Sequence, residues 1–232
     1  MLRRFGDAQK IGFPMLSDNG SAVIRKFGIL NTNVPEGHPF YGIPFPGDYL
    51  LGADGTVREK LFLPDYQTRA SAAEVLLRDF GKTNGGHSVT IRAEDVEAKL
   101  TLSSGRVVPA QQIAVAIEFT IAPGWHIYGQ PLQQSYVATE VAFDTSLVAT
   151  QAYDFPPATP VNFESLGERL PVYSGSFKAT GRIITKLGIK PGEYKLAGTL
   201  KFQECSDQIC KLPQKIAFEI PIQIEAMAAA AK

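Results

Sequence analysis

The sequence predicts an α+β chain in two parts, a small α/β unit followed by an antiparallel β-sandwich. Three observations predict it. Helical and strand patterns alternate up to about Phe80. After about Ser88 nearly every patterned stretch has period two, the signature of half-buried strands. Between them the run from Gly81 to Ser88 is polar and Gly-rich, with little to bury. The boundaries that follow are 1–82 for the first unit, 83–88 for a linker, 89–225 for the sandwich and 226–232 for an Ala-rich tail.

The elements follow in order. Leu2 to Phe5 reads as part of a helix and Gly12 to Leu16 as a strand. Ser17 and Asp18 can cap a helix whose apolar residues are Val23, Ile24 and Phe27. Two apolar runs, Tyr49 to Leu51 and Val57 to Leu63, flank Asp54-Gly55, which predicts a hairpin. Ser71 and Glu74 make a capping box ahead of Val75, Leu76, Leu77 and Phe80. In the second part, Ile113, Val115, Ile117, Phe119 and Ile121 alternate with Ala114, Ala116, Glu118 and Thr120. The stretches Tyr194 to Phe202 and Ile216 to Ile224 alternate in the same way. Each has one apolar and one mostly polar face, as in a sheet packed on one side. Pro and Gly turns between such strands predict a sandwich.

Composition removes several functions. The chain has 232 residues, 44% of them hydrophobic and 20% charged, enough to bury a core. Its 23 basic and 23 acidic residues cancel, which argues against an electrostatic nucleic-acid binder or a polybasic membrane anchor. No apolar run approaches the roughly 20 residues a membrane span needs. Two cysteines and three histidines are too few for a Cys-rich scaffold and make a structural zinc site improbable. His38 and His87 read as loop or surface residues, Gly52 to Gly55 as a hairpin turn rather than a phosphate cradle, and Phe155 to Pro160 as an inter-strand loop.

Chemistry concentrates at Cys205-Ser206-Asp207-Gln208-Ile209-Cys210, which follows a strongly alternating strand. Two cysteines with four residues between them on a turn can reach disulfide range. The residues leave two readings open, a structural staple and a redox couple. Closing so small a loop stabilises a fold by only about 2 kcal/mol in the chain-entropy model. Glu204 and Asp207 put carboxylates beside the thiols, and negative charge disfavours a thiolate. Such a pair waits as a disulfide for a partner's thiolate, or waits reduced for a partner's disulfide.

Three stretches in order give the second part a family resemblance: Pro123 through Trp125, His126 and Tyr128 to Pro131; Leu170 through Val172 and Tyr173 to Gly175; and Phe202 through both cysteines to Pro213. It resembles the N-terminal periplasmic domain of the thiol:disulfide interchange protein DsbD. The resemblance implies an immunoglobulin-like fold and thiol-disulfide oxidoreductase activity that needs no cofactor and no metal. It implies thioredoxin-like partners, a membrane-embedded electron donor, and a location in the periplasm. By position, Cys205 and Cys210 would be the redox couple, Val172 and Tyr173 a shielding cap, and His126, Tyr128, Asp207 and Ile209 its neighbours. Val172 stands where the family usually has Phe, Ile209 where an aromatic residue is frequent, and the cysteine spacing is one residue shorter than in the best-known members. A non-catalytic sandwich adaptor with a structural disulfide is the alternative.

The first part resembles the C-terminal half of a thioredoxin-fold redoxin of the alkyl hydroperoxide reductase/thiol-specific antioxidant group, on Phe13 to Asp18, Phe27 to Leu30, Ile43 to Gly47 and Ala53 to Gly55. Pro46 matches that fold's cis-proline. The family's catalytic cysteine belongs to an earlier β-α unit, and residues 1–204 contain no cysteine. The resemblance therefore implies a partial thioredoxin-like unit that cannot run peroxidase chemistry, with truncation at the N-terminus as the expectation. The start, Met1 to Arg4, is charged but lacks the apolar run of a secretory signal.

Overall fold

A computed structural model describes residues 2–45, 47–62, 72–132, 136–163 and 167–226. Pro46, read as the cis-proline, Leu63 and Ser71, the capping-box serine, lie outside the described residues, as does most of the tail. The chain forms two compact units, Met1–Ala70 and Ser71–Lys232.

In the first unit, helix α1 spans Leu2–Ala8 and helix α2 Ala22–Lys26, the latter entered through a 3-10 turn at Asn19–Ser21. Asp18 caps α2 as its position suggests. Its carboxylate accepts the Val23 and Ile24 amides at 3.0 and 2.9 Å, and these bonds, Ile24's first, lower its pKa. Strands β1 (Gly47–Leu51) and β2 (Val57–Phe62) pair antiparallel about the predicted turn. Gly55 sits there at φ 78°, a conformation that costs other residues more. The strand expected at Gly12 to Leu16 does not form. Pro14 removes a ladder donor, Phe13 and Leu16 are exposed, and no strand among the described residues lies alongside.

Helix α3 (Ala72–Phe80) belongs to the second unit, whereas the sequence pattern assigns it to the first. Leu77 packs on Ala114 and Ala116, and Gln112 Nε2 donates to Glu74 Oε2 at 2.9 Å. The expected linker is also part of the sandwich. The Asn84 amide donates to Ser103 O at 3.0 Å and the Leu102 amide to His87 O at 2.9 Å. At Gly86 a Cβ would stand 1.8 Å from the Leu102 carbonyl oxygen, so close backbone approach, not flexibility, explains that glycine.

The sandwich has two main layers. One sheet has the order β3 (Ser88–Arg92), β4 (Val96–Leu102), β6 (Gln112–Ile121), β12 (Ser176–Thr185), β9 (Val148–Asp154), all antiparallel. The other has the order β5 (Arg106–Val107), β15 (Gln214–Ile224), β13 (Gly192–Phe202), β8 (Glu140–Phe143), with β5 parallel to β15. Alternate residues of both layers, among them Leu100, Ile117, Phe119, Leu196, Leu200, Phe202 and Ile220, form the main core. On β6 the second face is not polar throughout. Ala114 and Ala116 are small and apolar because α3 covers them.

A third, smaller sheet carries the cysteines. Its order is β10 (Thr159–Phe163), β11 (Glu168–Tyr173), β7 (His126–Tyr128), β14 (Glu204–Cys205). Thr159 and Pro160, expected in a loop, begin β10 at its edge, where a proline costs no ladder bond.

Candidate redox site

The chain leaves β13, crosses Gln203 into β14, turns through Ser206 to Ile209, and enters β15 four residues after Cys210. Ser206 organises the turn. Its amide donates to Ile209 O at 2.8 Å, and its hydroxyl oxygen accepts the Ile209 amide at 3.2 Å. The geometry brings Cys205 and Cys210 into an isolated antiparallel bridge with Cα atoms 4.1 Å apart, and they form a disulfide. The two sulfurs meet different surroundings. Cys205 is fully buried and Cys210 is exposed on the turn, beside an Ile209 that is 61% exposed.

Strand β7 supplies what lies over Cys205. His126 and Tyr128 share one face by the period of two, while Ile127 points into the main core. Tyr128 is buried, and its hydroxyl donates to Cys205 Sγ at 3.2 Å and lies 3.6 Å from Cys210 Sγ. Burial, with help from the negative charge of Glu168, raises its pKa. His126 sits directly across from Cys205 in the strand register. Its ring contacts those of Tyr128 and Phe163 at centroid distances of 5.5 and 5.0 Å. Its Nε2 is buried with no hydrogen-bond partner among the described residues. Burial lowers its pKa, and the charge of exposed Asp207 partly offsets this.

The two residues read as a cap separate. Val172 pairs with Tyr128 and joins Cys205, Phe163 and Leu170 in a small apolar cluster. Tyr173 faces the other way. It stacks on Phe177 at 4.3 Å within the main core and donates its hydroxyl to Pro156 O at 2.8 Å. The site thus gathers Cys205, Cys210, His126, Tyr128 and Val172, with Asp207 and Ile209 at its surface.

Sequence reading misses Lys211. Glu204 is fully buried, but its charge does not act alone on the thiols. Lys211 Nζ lies 2.8 Å from Glu204 Oε2, an ion pair outside hydrogen-bond angles, so the carboxylate has no hydrogen-bond donor among the described residues. Lys211 also pairs with Glu94 at 2.9 Å and with Asp95, and stands 4.2 Å from the Trp125 ring centroid. The available signal is a Lys directly after one cysteine and a Glu directly before the other. Tyr136 is missed too. It packs on Tyr128, and its hydrogen bond to Glu168 pushes its pKa up to about 12. Among the described residues no group of three or more His, Cys, Asp or Glu is placed to hold a metal. No helix among them is long and apolar enough to cross a membrane.

Fold and site together define a β-sandwich domain that bears a disulfide between a buried and an exposed cysteine. Residues 94–221 match the family described as thiol:disulfide interchange protein DsbD, N-terminal, over more than half of the chain, and the chain belongs to that family. Residues 1–60 match the AhpC/TSA family. Among solved structures, the N-terminal periplasmic domain of ScsB from Proteus mirabilis is similar at 16% identity and TM-score 0.44, covering 57% of this chain. The chain spans about half, 49%, of that structure's length. The N-terminal domain of Neisseria meningitidis DsbD in the reduced form is similar at 17% identity and TM-score 0.29, covering 67% of this chain and 100% of that one. No curated protein matches the chain.

Proposed function

We propose that the chain is a thiol-disulfide oxidoreductase that relays electrons between partner thiol proteins through Cys205 and Cys210. The observation that carries this reading is the asymmetry of the disulfide: Cys205 is buried beneath Tyr128 and Val172, and Cys210 is exposed. A partner thiolate attacks Cys210 Sγ. The Cys205–Cys210 bond breaks, and its electron pair goes to Cys205 Sγ, where the Tyr128 hydroxyl donates to the emerging thiolate. The partner's second thiolate then attacks its own sulfur in the mixed disulfide and frees Cys210. The partner leaves as a disulfide, and the pair keeps two electrons and takes up protons. The reverse sequence delivers them to the next partner.

In this reading Val172 shields Cys205 directly, Tyr173 braces the strand that carries it, and Ile209 offers an apolar contact to a docking protein. Thioredoxin-like proteins and a membrane-embedded donor are the partners, and the setting is periplasmic, where disulfides persist. Family membership supports this setting, and the similar ScsB domain is itself periplasmic.

Trapping tests the mechanism. With a thioredoxin-fold partner that keeps only its attacking cysteine, activated as an aryl disulfide, the Cys210 thiolate of Cys205→Ser displaces the aryl thiolate and accumulates a mixed disulfide, because neither protein keeps a resolving thiol. Cys210→Ser accumulates none. A redox titration tests the function. A bridge below roughly −300 mV that resists glutathione belongs to a structural staple, and the adaptor reading then replaces this one.

A further inference from the structure

This inference rests on the exchange reading and concerns what holds the two thiols together after their bond has been broken. We propose that Glu204 and Lys211, the residues immediately outside the two cysteines, form a non-covalent clasp that keeps the reduced thiols adjacent. The clasp thereby sets both the stability of the disulfide and the speed with which Cys205 displaces a partner from Cys210.

The bonds that make the clasp involve no sulfur. The Lys211 amide donates to Glu204 O at 2.8 Å, and Gln203 Nε2 donates to Lys211 O at 3.1 Å. Above this backbone closure lies the side-chain pair, with Lys211 Nζ 2.8 Å from Glu204 Oε2. Glu204 is 0% exposed and the Lys211 side chain 21% exposed, so water screens the pair poorly. Removing one partner of such a pair strands a buried charge and is strongly disfavoured, so the pair resists opening. Lys211 is in turn fixed to its surroundings. Glu94 and Asp95, on the turn between β3 and β4, and the Trp125 ring, just before β7, hold its ammonium group. Burial lowers its pKa, but the carboxylates of Asp95, Glu204 and Glu94 outweigh this and keep it charged.

The consequence is entropic. Bringing two thiols together across a turn costs chain entropy each time the bond re-forms. A loop already closed outside both cysteines has lost most of that freedom in the reduced state. The effective concentration of one thiol at the other is therefore high. Lys211 also balances the carboxylate beside Cys205, which would otherwise oppose the Cys205 thiolate.

Equilibration with glutathione tests the clasp without a protein partner. In that exchange the reduced pair gives two electrons and two protons to glutathione disulfide. The Cys205–Cys210 bond forms as the glutathione S–S bond breaks, yielding two glutathione thiols. Lys211→Met alone leaves Glu204 buried and unpaired, so the deciding variant is Glu204→Gln with Lys211→Met, which removes both charges. We expect its equilibrium constant to fall about tenfold, a potential about 30 mV less reducing. Release of glutathione from a mixed disulfide at Cys210 should slow by a similar factor. Lys211→Arg should keep the native values. Arg106→Gln, which breaks the exposed ion pair to Glu225 beyond the far end of β15, should leave them unchanged. A double variant within twofold of the native protein in both constants overturns the clasp. Failure to exchange with thioredoxin-fold proteins would sink the functional reading instead, and leaves the glutathione measurement intact.

Discussion

The Tyr128 hydroxyl donates a hydrogen bond to the buried sulfur, and its worth is measurable. Tyr128→Phe keeps the ring contacts with His126 and Tyr136 and deletes only the donor at 3.2 Å from Cys205 Sγ. In the reduced protein the Cys205 thiol pKa should rise, followed by the pH dependence of its alkylation, and attack on Cys210 should slow about tenfold, as for loss of one hydrogen bond to a charged group. An unchanged thiol titration would show that the hydroxyl plays no part in the chemistry. His126 gives a second prediction, with its sign fixed by burial. Its folded-state pKa lies below 6.5, so the unfolded chain binds the proton more readily. The stability His126 leaves intact above that pH is lost as pH falls below 6.5 toward the lowered folded value. Asp207 moderates the loss, while the Glu204 charge across the strand is already paired with Lys211. Denaturant melts of the oxidised protein from about pH 7.5 to about pH 5 should show this decline, and His126→Phe should flatten it. The residue types at the site were legible in the sequence, because cysteines, carboxylates and aromatics are visible as letters. The pairing of Glu204 with Lys211 was not, because it depends on a turn folding back so that positions seven apart meet.

Strand β11 shows how one element divides its duties. Its period of two sends Leu170 and Val172 toward Cys205 and Tyr173 into the main core. Val172→Ala removes two buried carbons above the sulfur and should cost roughly 2 kcal/mol. Its more telling effect should be faster alkylation of Cys205 in the reduced protein, with Cys210 unaffected. Equal rates at Cys205 would mean that Val172 gives no shielding. The long strands were legible because sustained alternation leaves little ambiguity, as at Ile113 to Ile121. The sheet that carries the site was not, because β7 has three residues and β14 two, too short for any periodicity. The Gly81 to Ser88 run misleads for another reason. A glycine required by close backbone approach looks the same in sequence as one that confers freedom, and Gly86 is the former.

At the scale of the molecule, helix α3 decides where the sandwich ends. Leu77 is 3% exposed against Ala114 and Ala116, so Leu77→Ala should destabilise the second unit by about 2–4 kcal/mol. Calorimetry of the whole chain should show the loss in that unit's transition, and an unshifted transition would place α3 outside the cooperative fold. The redoxin portion of the chain was recognisable by letters that survive in loops and turns, yet its expected strand at Gly12 to Leu16 needs a neighbour that the described residues do not supply. The apolar group around Cys205 stands apart from the large core between the two main layers. On the proposed exchange reading, a docking protein would meet that small group first, and the contacts it disturbs there would be few beside those buried between the layers.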